Sequence, residues 1–472
     1  MNKTDPSADP RPAHQTVASG IQFESANQSI QIEFTDQQLS PPAGTATCWS
    51  FVHGSGGIEW LEKCRPHPLP KSNHHLPPLG QGLGFIHGLL CGAKKFAHVA
   101  YLRRDPMVPE MVGIKRVPSQ SVLSRFFQGF ASAGANLRCF RRLFGWCLEA
   151  LPSRPGGYAL DLDSTRLLHE DGHQEGVAAG YTRVGHKPCL HPLLAVLSEV
   201  RLVASFWLRP GHSSCANHGL SFFLDLWENL PVQVHLRVVR ADSGFCVGEL
   251  LMLWETLQLK FVVAARLSRP LQGLIEKETA WHPTEIAGTE VAELAYREKG
   301  WPATARLLVI RHRLADKQSR AGGKLLLDCP GYLYQGLVSN LPLTEKPLAI
   351  WREYNGRAGC ENIIKELDAG YGLPDLACKD FWGTEAALSW GVWAHNLVVW
   401  FERKLGWQQA VTIGTLRYWM FVTAGIITHG QGRTTLTLAV PERERDWWRR
   451  LWEKLLSPFP NGNAVENRPA CS

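Results

Sequence analysis

Residues 157–165 read GYALDLDST, and residues 233–243 read QVHLRVVRADS. In the first stretch Tyr158, Leu160 and Leu162 alternate with Ala159, Asp161 and Asp163, the period-two pattern of a β-strand. The second stretch is a strand too and, like the first, ends on an acid, Asp242. Between and after them lie a near-continuous apolar strand, RLVASFWLRPG (201–211), a helix, HGLSFFLDLWENL (218–230), a second helix, CVGELLMLWETL (246–257), and a strand, KFVVAARL (260–267). The order β-β-β-α-β-α-β predicts a mixed α/β fold, with helices on the faces of one sheet. Side chains at the C-terminal ends of adjacent strands converge on one crevice, which brings Asp163 and Asp242 together. Two carboxylates there repel each other, and a divalent cation removes that cost.

Outward from this core the pattern changes. Residues 268–348 hold short strand-like runs (ARLLVIRHRL, GKLLLDC, YLYQGLVSNL) and little helix, and are expected to form a β-rich insertion between a first core segment, 151–267, and a second, 349–430. Residues 354–370 and 381–403 read as helices. AALSWGVWAHNLVVWF (386–401) is too short for a membrane span of roughly 20 apolar residues and contains His395 and Asn396, so a buried helix is expected. Upstream, residues 29–150 form a mainly helical region. GLGFIHGLLCGAKKFAHVAYL (82–102) reads as one helix, and Ser119 is the N-cap of a second, QSVLSRFFQGF. A third, ANLRCFRRLFGWCLEAL, carries Arg138, Arg141 and Arg142, either a groove-binding face or the solvated side of a bundle. Residues 1–28 form a polar tail, and residues 431–472 a strand, a basic amphipathic helix and a tail.

The net charge of +7 is compatible with a polyanionic partner. Twelve cysteines without a CxxC pair exclude a zinc module or a disulfide scaffold and suggest reduced thiols in a cytosolic protein. The polar N-terminal sequence MNKTDPSADPRPAHQ carries no secretory signal.

A third acid is expected from a helix laid on the sheet. In REYNGRAGCENIIKELD, Tyr354, Arg357, Glu361, Lys365 and Asp368 are spaced 3, 4, 4 and 3 residues apart, one helical face. Arg357 and Lys365 would grip a phosphate backbone while Glu361 binds metal. The alternative is an exposed face of i,i+4 ion pairs.

That face is similar to the Tyr-x2-Arg-x3-Glu-x6-Lys signature of bacterial insertion-sequence DDE transposases. The chain resembles insertion-sequence family 1380 in LDLDST, GYTRVGHKPCLHPLLA, LRPGHSSCANHG, RADSGF and YNGRAGCENIIKEL. PSQSVLSRF, with Arg125, resembles that family's upstream DNA-binding region. The resemblance implies an RNase H-like catalytic core interrupted by the β-rich insertion, with an N-terminal DNA-binding region. It implies that Asp163, Asp242 and Glu361, separated by 79 and 119 residues, are catalytic and hold two Mg²⁺ or Mn²⁺ ions. Tyr354, Arg357, Lys365 and Arg125 would contact DNA. The implied activity is cleavage and strand transfer at the terminal inverted repeats of an insertion sequence. A homodimer would act on paired double-stranded ends in the bacterial cytoplasm, at the nucleoid and with no membrane partner. Rival readings are a decayed or repurposed DNA-binding protein and a nuclease that does not join. There is one departure: Asp368 stands where the signature lysine should fall, with Lys365 three residues earlier. Asp161 shares a strand face with Asp163 and rivals it as the first acid.

Other signals carry less. GQGLGF (80–85) lacks a P-loop lysine and reads as a turn. His74 and His75 have no metal-ligand partners, and Ser243 lies in no nucleophile elbow. Trp281, Trp301 and Tyr332 in the insertion are base-stacking candidates or, more simply, packing residues.

Overall fold

A computed structural model describes residues 21–24, 28–68, 76–169, 172–182, 185–214, 218–314, 324–326 and 331–458. His74, His75 and most of the expected N-terminal tail lie outside the described residues. The core strands are β1 (Tyr158–Ser164), β2 (Leu193–Leu197), β3 (Leu202–Trp207), β4 (Leu236–Ala241) and β5 (Phe261–Ala265). The next segment supplies β6 (His282–Pro283), β7 (Thr289–Leu294), β8 (Arg306–Arg313), β9 (Lys324–Leu325) and β10 (Tyr332–Ser339). All ten form one sheet in the order β6-β7-β8-β10-β5-β4-β1-β2-β3, with β9 on β10. β4 runs parallel to both β1 and β5, and the other pairings are antiparallel.

The helices used below are α1 (Gln120–Gln128), α2 (Ala133–Glu149), α3 (Gly219–Asn229), α4 (Gly248–Thr256), α5 (Pro347–Asn355), α6 (Ala358–Ala369), α7 (Phe381–Lys404) and α8 (Arg445–Leu456). α3 and α4 are the crossovers that parallel pairing requires. β1 alternates in sequence yet is buried on both faces. Leu160 and Leu162 join the main core. Ala159, on the other face, joins Val238, Val262, Leu337, Ile350 and Tyr354 in a second core under α5. Asp161 and Asp163 follow Ala159 at intervals of two, so both belong to the α5 side.

α7 is apolar all round and almost wholly buried, as expected of residues 386–401. Its Asn396 serves the edge strand β3. The Val203 N–H donates to Asn396 Oδ1 at 2.9 Å, and Asn396 Nδ2 donates to the Val203 carbonyl at 2.8 Å. A helix side chain thereby satisfies backbone groups that an edge strand leaves unpaired. Among the described residues no helix is long and apolar enough to cross a membrane.

Ser119 caps α1 as expected, its Oγ accepting from the Val122 N–H at 3.3 Å. Four expectations are corrected. Residues 82–102 do not form one helix: Pro78–Leu90 ends in a turn with Gly92 at φ +92°, and Phe96–Tyr101 begins anew. The helix expected over 354–370 breaks at Gly356–Arg357, so Tyr354 belongs to α5 and Glu361, Lys365 and Asp368 to α6. Residues 268–348 open with a helix, Arg269–Lys277, and their strands extend the central sheet through β10 on β5. Eight described cysteines are free thiols, but Cys64 is disulfide-bonded, against the expectation of reduced thiols throughout.

Candidate active site

Asp163 closes β1 and Asp242 follows β4 directly, at the same ends of two adjacent parallel strands. The Asp242 carboxylate accepts from the Gly244 N–H at 2.9 Å, which fixes the turn after β4. Asp163 is 5% exposed. Its pKa is pushed up to about 6 by burial and by the charge of Asp242, with Arg357 opposing. The two carboxylates therefore sense each other across the strand ends, which is the penalty a divalent cation would relieve.

Glu361 lies in the first turn of α6, and its side chain is 52% exposed. Arg357 links it to the strands. One guanidinium nitrogen, Nη2, lies 2.6 Å from Asp163 Oδ2, and Nη1 lies 3.5 Å from Glu361 Oε1. Burial works against the Arg357 charge, but Asp163 first, then Tyr354 and Asp242, hold its pKa above the usual arginine value. Tyr354 is buried at the end of α5, and its hydroxyl pKa is raised by burial and by Asp242, Asp163 and Glu361, against Arg357. Asp163, Asp242, Tyr354, Arg357 and Glu361 thus form one electrostatic group. Among the described residues no three His, Cys, Asp or Glu side chains are gathered closely enough to hold a metal ion. The acids are instead drawn together around a guanidinium.

Lys365 is exposed one turn beyond Glu361. Asp368 is exposed one turn further, its pKa raised by burial and by Asp375, with Lys94 opposing. Lys94 comes from the turn after Pro78–Leu90 and packs on Gly372, where a Cβ would meet the Lys94 Cγ at 2.8 Å. This lysine, distant in sequence, offsets the acid in the signature-lysine position. Arg125 stands apart, exposed on α1, a helix that packs on α7. Of the three arginines on α2, Arg141 is bound to Asp225 of α3.

Asp161 and Asp163 differ in their partners, and that of Asp161 is Arg240, which nothing local in the sequence singled out. Asp161 is fully buried, and both its oxygens accept from Arg240, at 2.6 and 3.0 Å. Asp163 accepts instead from the Ser164 N–H at 2.8 Å and from Arg357 at 2.6 Å. A second unforeseen neighbour is His191. Burial lowers its pKa to about 4, so the ring is neutral. Nδ1 lies 2.8 Å from the Ser213 carbonyl and must donate there, which leaves Nε2 to accept from the Ser164 hydroxyl at 3.0 Å. The residue after Asp163 is thereby tethered. The Cys360 thiol beside this group is held far above the usual thiol range by burial and by Asp163 and Asp161, which makes it a poor nucleophile.

The insertion aromatics have partners within the fold. The Arg311 guanidinium lies 4.0 Å from the Trp281 ring centre and 4.4 Å from that of Tyr332, between the two. Trp301 is buried edge-on to Tyr296.

The donor set at the strand ends is all oxygen, and burial and the like charge of Asp242 both work against the ionised Asp163. Both properties suit a hard divalent cation. The family model described as "Transposase DDE domain group 1" matches residues 25–457. No curated protein matches the chain. Among solved structures, a cryo-EM structure of a piggyBac transposase synaptic complex with hairpin DNA is similar, with a TM-score of 0.38 and 11% identity over 81% of each chain.

Proposed function

The chain belongs to the family of transposase DDE domains, group 1, and on that premise we propose that it cuts and joins DNA at the terminal inverted repeats of an insertion sequence, of the family 1380 type. Asp163, Asp242 and Glu361 are the catalytic acids. They would hold Mg²⁺ or Mn²⁺, two ions in all, and such ions supply charge neutralisation and an activated oxygen nucleophile. The observation that carries this reading is the placement of Asp163 and Asp242 at the ends of neighbouring parallel strands, with the Glu361 helix tied to Asp163 through Arg357.

An RNase H-like core is supported by the arrangement of β1 to β5, in the order β3-β2-β1-β4-β5 with β2 alone antiparallel to the other four. The residues 29–150 serve as the DNA-binding region, with Arg125 facing outward for contact. The chemistry is phosphoryl transfer. A water oxygen attacks a backbone phosphorus at the transposon end. The bond to the 3′-oxygen breaks, and that oxygen leaves as a hydroxyl once protonated. The freed 3′-hydroxyl then attacks a second phosphorus: it gives up its proton as the new P–O bond forms, and the bond from that phosphorus to its own 3′-oxygen breaks, that oxygen taking up a proton as it leaves. Arg357 and Lys365 hold phosphate oxygens, and Tyr354 packs beneath them. Both ends are processed together, so a homodimer on double-stranded DNA in the bacterial cytoplasm is the working assembly.

The test is an end-cleavage and strand-transfer assay with Mg²⁺ and the flanking inverted repeats. The wild type cuts and joins, while Asp163→Asn and Glu361→Gln bind ends but do neither. Near wild-type cutting by either variant would overturn the assignment.

A further inference from the structure

Arg240 lies on β4 two residues before Asp242, and Asp161 lies on β1 two residues before Asp163. The two are register partners across the parallel strand pair. They occupy the same sheet face as the candidate acids, one step deeper. Arg240 is 4% exposed and makes four contacts. Nε and Nη2 take both oxygens of Asp161, at 2.6 and 3.0 Å. Nη1 takes the Glu353 carbonyl at 3.0 Å and the Glu353 carboxylate at 3.1 Å. That carbonyl belongs to the last turn of α5 and also accepts from the Gly356 N–H at 3.2 Å.

The guanidinium also fills the notch between α5 and α6. A Cβ on Gly356 would fall 2.2 Å from Arg240 Nη1. Glycine is required here by close approach, since its backbone is in the ordinary helical region. The next residue is Arg357, which reaches Asp163 and Glu361. One unbroken set of contacts therefore runs from the floor of β1 through Arg240 to the helix junction and back to the site. Arg237 reinforces it from outside, with Glu353 at 2.7 Å.

A buried ion pair is a poor source of stability, because desolvation offsets its attraction, and an apolar trio would hold the junction as firmly. What the planar three-sided fork adds is a unique geometry. We propose that Arg240 is a positioning residue for the phosphoryl-transfer site. It sets where α6 begins over the strand ends, and hence the separation of Glu361 from Asp163 and Asp242. This rests on the functional reading above.

The test uses the full chain and three variants. Arg240→Lys keeps the charge and loses the fork. Asp161→Asn keeps the shape and weakens one side of it. Gly356→Ala crowds Nη1 without touching a charge. Each is measured for thermal unfolding, affinity for transposon-end DNA, single-turnover cleavage and the Mn²⁺ concentration that half-saturates the rate. End affinity is expected to stay within about threefold, while the cleavage rate per folded molecule falls about 10- to 100-fold and more Mn²⁺ is required, the range for supports of metal-ligating groups. Wild-type rate and Mn²⁺ dependence in Arg240→Lys and Gly356→Ala, with only a lower melting temperature, would overturn the proposal. If Arg240→Lys does not fold, Gly356→Ala decides by the same criteria. Asp163→Asn runs alongside: cleavage by that variant sinks the parent reading, whereas a dead Asp163→Asn beside fully active Arg240 and Gly356 variants sinks the positioning role alone.

Discussion

Arg357 Nη2 lies 2.6 Å from Asp163 Oδ2, and each side chain is less than a tenth exposed. The candidate carboxylate therefore already has a cationic partner, supplied by the N-cap of the helix that carries Glu361. A metal ion at Asp163 competes with that guanidinium. Arg357→Gln is thus expected to lose about 3–5 kcal/mol of stability in chelator-treated buffer, the cost of stranding a buried charge. It should also bind Mn²⁺ about tenfold more tightly in the absence of DNA, equivalent to about 1.4 kcal/mol. Urea unfolding and Mn²⁺ electron paramagnetic resonance test the two parts. Unchanged Mn²⁺ affinity would mean that Arg357 and the metal do not compete.

Lys365 and Asp368 bear opposite charges on successive turns of α6. If Lys365 contacts a phosphate, Lys365→Ala should lower the slope of log affinity against log salt by about one. Asp368→Asn should shift affinity the other way, by roughly twofold at low salt, by removing a like charge near the phosphates. Fluorescence anisotropy across a salt series measures both. A Lys365→Ala slope equal to wild type would remove Lys365 from the DNA contacts.

Glu385 is 6% exposed, and burial pushes its pKa up to about 7 despite donors at Asn136 Nδ2 and the Leu208 N–H. Its folded-state pKa lies above the ordinary glutamate value of about 4.5. The stability it contributes is fully present below about pH 4.5 and is lost as pH rises through about 7. Glu385→Gln should therefore be more stable than wild type at pH 8, on the order of 2 kcal/mol, and near parity at pH 5. Urea titrations at the two pH values measure this, and parity at pH 8 would mean that the buried carboxylate costs nothing.

Asn396→Leu should remove both contacts to Val203 and leave a buried N–H and C=O unpaired. The expected loss is about 3 kcal/mol, with end binding by the folded fraction unchanged. A denaturant midpoint near wild type would show that the β3 edge finds other partners.

The strand periodicity of GYALDLDST and QVHLRVVRADS was enough to place Asp163 and Asp242, because a period of two is a local property. What distinguishes Asp161 from Asp163 was not local, since the partner of Asp161, Arg240, lies 79 residues away. The same arginine explains one of the two misread helices. Residues 354–368 keep helical spacing, and only the packing of Gly356 on Arg240 shows why the chain turns there. Lys94 was invisible for a similar reason, because it meets Asp368 only after the N-terminal helices dock. The runs within 268–348 were legible as strands, but their partner, β5, was not, since pairing depends on which edge the folded core leaves open.

That pairing limits how the protein can be shortened. Excising 268–348 as a detachable module would strip β5 of β10 and bare the backbone of Phe261–Ala265, a buried apolar strand. Such an edge invites intermolecular pairing. A compact derivative would aggregate unless it kept β10 or another cover for β5, so trimming has to proceed from the far strands β6 and β7 inward.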